Sequence, residues 1–89
     1  MRILSGVKPV RIYTTPYCPY CVRAKKLLQR KNVVYEEIDI GGDDEARMKL
    51  IETTGRRTVP QVFIGDTHVG GSDDLYALEE RGELDGLLQ

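Results

Sequence analysis

The sequence predicts an α/β fold in which a four-stranded mixed sheet is flanked by helices. Strand-like and amphipathic helical segments follow one another in the order β, α, β, α, β, β, α. A helix joins the first two strands, a connection long enough to lay them parallel. Only Gly65 and Asp66 separate the third and fourth strands, which makes that pair an antiparallel hairpin.

Each element has its own signal. Residues 1–8 form an extended lead-in, broken by Gly6 and closed by Pro9. Val10 to Thr14 alternates and is rich in β-branched and aromatic residues, and Pro16 ends it as a strand. From Pro19 to Lys31 the apolar set Cys21, Val22, Ala24, Leu27 and Leu28 recurs at helical spacing, with Arg23, Lys25, Lys26, Gln29 and Arg30 on the other side. Pro19 suits the first helical position, where its missing N–H would have had no partner, so Cys18 falls at the N-cap. Val33 to Ile40 is the second strand, closed by Gly41 and Gly42. Asp43 to Thr54 has early acids and an apolar set of Ala46, Met48, Leu50 and Ile51, with Gly55 as its stop. The hairpin strands are Gln61 to Ile64 and Thr67 to Val69, and Gly70 and Gly71 end the second. Ser72, Asp73 and Asp74 supply a cap and first-turn acids for a helix through Glu80, and a short helix at Leu84 to Leu88 closes the chain.

At 89 residues the chain is expected to form one domain, 1–89, since splitting the core would leave neither half enough buried surface to offset its ordering entropy. No apolar run approaches the roughly 20 residues a membrane helix needs. The first seven residues are too few and too weakly apolar for a signal peptide, whose apolar core takes about 7 to 15 residues, so a cytoplasmic location is expected. Residues 1–31 carry eight Lys or Arg and no acid, whereas the rest carries five basic and fourteen acidic residues. The net charge of −1 and the lack of an aromatic-rich basic motif argue against nucleic acid as partner. Steering of small anions fits the basic end better.

The two cysteines, Cys18 and Cys21, lie where the first strand hands over to the first helix. As a structural staple they would tie down one helical turn and constrain almost nothing at long range. As a zinc site they lack a second ligand pair, with His68 the one histidine in the chain. A redox pair remains. A thiol attacks only as thiolate, and the unpaired N–H groups and positive dipole end of a helix N-terminus favour that anion, which makes Cys18 the expected nucleophile. Cys21, one turn on and further inside, suits a resolving thiol, and its bland alternative is a small core residue. Tyr20 either lines the groove or packs the helix start. His68 is read as a surface residue.

The element order with a Cys-x-x-Cys opening the first helix resembles the thioredoxin-like fold. Closer still, Thr14-Thr15-Pro16-Tyr17-Cys18-Pro19-Tyr20-Cys21, Thr58-Val59-Pro60 and Gly70-Gly71-Ser72-Asp73-Asp74-Leu75 together resemble the dithiol glutaredoxins with a CPYC box. Thioredoxins proper are less similar, because their motif carries a tryptophan and this chain has none.

That resemblance implies glutathione as reductant and co-substrate, with glutathionylated or disulfide-containing proteins as clients, ribonucleotide reductase among them, and a monomer as the working unit. It implies that Tyr17 borders the site. Pro60 alone would be assigned trans, because X-Pro bonds are cis in only about 5 to 6% of cases; the resemblance implies cis, with Val59 backbone pairing to the cysteine part of glutathione beside Thr58. It implies that N–H groups after Gly71, at Ser72 and Asp73, hold the γ-glutamyl carboxylate while Asp73 or Asp74 takes the ammonium, against a reading of plain helix capping. Many glutaredoxins carry a lysine where Thr15 stands, so Arg47 and Arg57 are the candidate replacements for binding the glycine carboxylate, each against a reading as solvated surface charge. Two rival functions remain: a dimeric carrier of a glutathione-ligated iron-sulfur cluster, against which the Pro-Tyr box argues, and a redoxin reduced by thioredoxin reductase, against which Asp73 and Asp74 argue.

Overall fold

The computed structural model describes residues 8–89, so the expected lead-in lies outside the described residues except for Lys8. The elements run β1 (Val10–Thr14), α1 (Pro19–Arg30), β2 (Tyr35–Asp39), α2 (Asp44–Thr54), β3 (Gln61–Ile64), β4 (Thr67–Gly70), α3 (Ser72–Glu80) and α4 (Leu84–Leu88). The strands form one sheet in the order β2-β1-β3-β4. β1 pairs parallel with β2 and antiparallel with β3, which pairs antiparallel with β4. This is the mixed, helix-flanked sheet that the element order predicts.

Period-2 alternation sorts the sheet's two faces. Val10, Ile12, Val62 and Ile64 point to one face and are buried with Ala24, Leu27 and Leu28 of α1, Leu75 of α3, and Leu84 and Leu88 of α4. On the opposite face Phe63, Ile40 and Leu50 form a smaller cluster with Tyr13 and Ala46, covered by α2. The larger core thus lies beneath α1, the helix that carries both cysteines. Two links beyond packing hold α1 in place: Tyr76 of α3 donates its hydroxyl proton to the Arg23 carbonyl at 3.0 Å, and Lys31 pairs with Glu79 and Asp85, each at 2.9 Å. Among the described residues no helix is long and apolar enough to cross a membrane.

Two local expectations are corrected and one is met. The second strand begins at Tyr35 rather than Val33, because Asn32 adopts a left-handed turn (φ 58°) and the Val33 N–H returns to the Leu28 carbonyl at 3.0 Å, closing α1. The cap of α3 is Gly71, not Ser72; with no side chain at the cap, only the reciprocal bond exists, in which the Gly71 N–H donates to Asp74 Oδ2 at 2.9 Å. Finally, the Val59–Pro60 bond is cis, as the resemblance implies and against the expectation from residue statistics.

Candidate active site

Pro16 cannot continue β1, and Tyr17 then turns the chain in the left-handed region (φ 60°), its side chain wholly exposed at 100%. That turn delivers Cys18 to the N-cap of α1 in an extended conformation, with Pro19 as the first helical residue. The Cys21 N–H donates to Cys18 Sγ at 3.2 Å, as a helix N-terminus offers its free donors to an anion. On the other side the Cys18 thiol lies 3.8 Å from the Val59 carbonyl, its hydrogen-bond acceptor in the proline loop.

Cys21 is only 2% exposed. Burial, followed by the hydrogen bond and charge of Cys18, pushes its thiol up to about 12, outweighing the lowering by the Thr15 backbone and Lys25. Cys21 therefore keeps its proton at neutral pH. Both cysteines are free thiols. One sulfur thus sits half-buried at the helix end and the second lies buried one turn behind it.

Two grooves flank this pair. One, of about 390 Å³, runs along Thr14–Pro19, Cys21, Val22 and Lys25 to Glu37 and Asp39. At its floor Glu37 accepts from Lys25 Nζ at 3.0 Å and from the Thr14 hydroxyl at 2.9 Å, and Lys25 holds the carboxyl below its usual range. The other groove, of about 230 Å³, is lined by Tyr20, Arg56, Thr58, Val59, Pro60 and Gly71 to Asp74.

Of the sequence-predicted residues, the second groove brings together Tyr20, Thr58, Val59, Pro60, Gly71, Ser72, Asp73 and Asp74. Arg47, half-buried on α2, and Arg57, exposed in the loop, are not among its lining residues. Arg56 is, and sequence reasoning missed it. Its guanidinium pairs with Asp74 Oδ2 at 2.8 Å. The Gly71 N–H, followed by Arg56, holds Asp74 below the usual carboxylate range, so this carboxylate is anionic and already engaged. The adjacent Asp73 is exposed, while Ser72 Oγ is buried without a hydrogen-bond partner. Nothing in the pattern Arg56-Arg57 distinguishes the two; only the course of the loop after Gly55 does. His68 also departs from expectation: it is half-buried, bonded to Gln61 at 2.7 Å and stacked on Phe63 with ring centroids 5.0 Å apart.

Two thiols one helical turn apart, at a helix N-terminus on a thioredoxin-like sheet and facing a cis-proline loop, are the equipment of a thiol-disulfide oxidoreductase. A family model described as Glutaredoxin matches residues 10–69. A glutaredoxin of Pseudomonas aeruginosa is 60% identical over 80 residues, spanning 90% of this chain and 95% of the relative. The solution structure of a Brucella melitensis glutaredoxin is 55% identical, with a TM-score of 0.86 over 94% of this chain and 91% of that one. A buckwheat glutaredoxin crystallised as a glutathione complex superposes with a TM-score of 0.86 at 36% identity, covering 91% of this chain and 76% of its own. The chain belongs to the glutaredoxin family.

Proposed function

We propose that this chain is a glutathione-dependent thiol-disulfide oxidoreductase that reduces protein-glutathione mixed disulfides and protein disulfides through Cys18 and Cys21. The observation that carries the reading is the asymmetry of the pair: Cys18 Sγ receives the helix N–H at 3.2 Å while Cys21 is buried and its thiol pushed up to about 12. The Cys18 thiolate attacks the glutathione sulfur of a mixed disulfide, forming Cys18–S–S–glutathione and releasing the client thiolate, which takes a proton. A second glutathione, as thiolate, attacks that bond, restores the Cys18 thiolate and leaves as oxidised glutathione. With a protein disulfide, Cys18 forms the mixed disulfide and Cys21, after losing its proton to solvent, displaces the second client sulfur and leaves a Cys18–Cys21 disulfide.

Glutathione fits the groove lined by Tyr20, Thr58 to Pro60 and Gly71 to Asp73. The Val59 backbone, at the bend before the cis Pro60 bond, offers it main-chain pairing, and the start of α3 offers N–H groups to its γ-glutamyl carboxylate. Asp73, whose carboxylate is exposed, takes the ammonium; Asp74 is spent on Gly71 and Arg56 and shapes the groove. Arg56 lies at the groove, which makes it a stronger candidate than Arg47 or Arg57 for a glutathione carboxylate. The working unit is a cytoplasmic monomer in this reading, with glutathionylated proteins as clients.

A glutathionylated peptide supplied with glutathione, NADPH and glutathione reductase tests the function. Cys18→Ser abolishes turnover, and Cys21→Ser retains a good part of it. Activity surviving in Cys18→Ser overturns the mechanism. Arg56→Ala raises the apparent KM for the peptide more than Arg47→Ala or Arg57→Ala does; the reverse order returns the carboxylate to one of those two.

A further inference from the structure

The proline loop is held from behind by a chain of side chains that the thiol chemistry does not use. Gln61, the first residue of β3, is completely buried, at 0% exposure. Its Nε2 donates to the Thr58 carbonyl at 2.9 Å and lies 3.4 Å from the Thr58 hydroxyl. A carbonyl oxygen only accepts, so the amide nitrogen must face Thr58 and the amide oxygen must face away. That oxygen lies 2.7 Å from His68 Nε2. An amide oxygen only accepts, so the proton of the imidazole is on Nε2. Burial, followed by the Arg56 cation, holds His68 below its usual value, so at neutral pH the ring carries a single proton and this bond fixes where it sits.

The ring itself has little freedom. It stacks on Phe63, which meets Tyr13 edge-on with centroids 5.7 Å apart, and Arg11 covers Phe63 at 5.0 Å. His68 thus stands on a packed aromatic platform of the sheet and transmits that rigidity through Gln61 to Thr58, whose neighbour Val59 presents its carbonyl to Cys18. A buried amide fixed at both ends holds one orientation, whereas one deprived of its donor on the oxygen side loses that constraint.

We infer that His68 and Gln61 are positioning residues for the Thr58–Pro60 loop, a relay in which the His68 Nε2–H orients the Gln61 amide and the amide anchors the loop backbone against which the glutathione moiety binds. The inference rests on the glutathione groove proposed above. It assigns His68 no proton transfer and no contact with substrate. Losing the relay weakens binding along the loop, while the Cys21 N–H on α1 still holds Cys18 Sγ at 3.2 Å.

The test uses His68→Phe, which keeps a ring on Phe63 and removes the donor, and His68→Gln, which removes the ring and returns an N–H donor. Gln61→Leu breaks the second link. With the glutathionylated peptide, glutathione, NADPH and glutathione reductase, His68→Phe is expected to raise the apparent KM by about three- to tenfold, the worth of one net hydrogen bond. Its kcat stays within about twofold and its rate of alkylation at Cys18 matches wild type. His68→Gln recovers at least half of the loss, and Gln61→Leu is no milder than His68→Phe. Circular dichroism confirms that each variant is folded, and the Gln61 side-chain amide protons, followed by NMR, exchange faster in His68→Phe than in wild type. Unchanged KM in folded His68→Phe, or a His68→Gln variant no better than His68→Phe, overturns the relay and leaves the reductase reading standing. A wild-type protein whose turnover does not saturate with the glutathionylated peptide overturns the groove assignment beneath it.

Discussion

Cys21 is silent in the resting protein for a reason that its own chemistry removes. Burial raises its thiol first, but the next cause is its neighbour Cys18, through a hydrogen bond and through charge. Once Cys18 is bound in a mixed disulfide it carries no negative charge, so both contributions disappear at the moment when Cys21 is needed as nucleophile. The expected consequence is that Cys21 in Cys18→Ser ionises below the value of about 12 it has beside Cys18. Ultraviolet thiolate absorbance in a pH titration of the single-cysteine variant measures this, and a midpoint at or above the wild-type one refutes it. Below that midpoint the resolving step accelerates about tenfold per pH unit, since its rate follows the thiolate fraction.

At the scale of elements, helix ends do much of the placing. The N-cap position of Cys18 was legible because Pro19 marks the first helical residue. The α3 cap was not, because Ser72 is the better capping residue by type and Gly71 won through backbone geometry: Gly70 at φ 119° packs so close to Asp74 that a side chain there would collide with it. Likewise Arg56 and Arg57 are the same residue type in adjacent positions, and what separates them is the loop path after Gly55, which turns left-handed at φ 73°. His68 looked like one side of a two-residue hairpin, and only cross-strand register with Phe63 put its ring on the aromatic platform. α2 shows a cap that the sequence does announce: Asp43 accepts from the Ala46 N–H at 3.0 Å. Asp43→Ala should cost about 1 kcal/mol, read by urea denaturation. Cys18 alkylation should stay at the wild-type rate, because α2 covers the sheet face opposite α1.

Across the whole molecule, the order of elements and two of the three strand pairings followed from spacing: a helix between β1 and β2 makes a parallel pair, and two residues between β3 and β4 make a hairpin, whereas the antiparallel pairing of β1 with β3 left no such mark. What spacing did not give is which side chains meet across distant segments, such as Tyr76 with Arg23 or Gln61 with Thr58 and His68. The main core is more predictable than those polar contacts because periodicity marks it. Leu27, fully buried, belongs to that core and to the helix that carries both cysteines. Leu27→Ala should lose about 2 to 5 kcal/mol by denaturant unfolding, the usual range for a leucine truncated in a packed interior.

Among the described residues the outer strand β2 leaves one edge of the sheet unpaired, and its sequence is Tyr35-Glu36-Glu37-Ile38-Asp39. An open edge is a template for a further strand, and like charges set directly opposite one another oppose such pairing. A second copy of the chain laying its own β2 there in parallel register would set Glu36 against Glu36 and Asp39 against Asp39, with Glu37 already held by Lys25. The strand that completes the parallel pair beside the thiols therefore also carries charge that opposes a second copy adding at this edge.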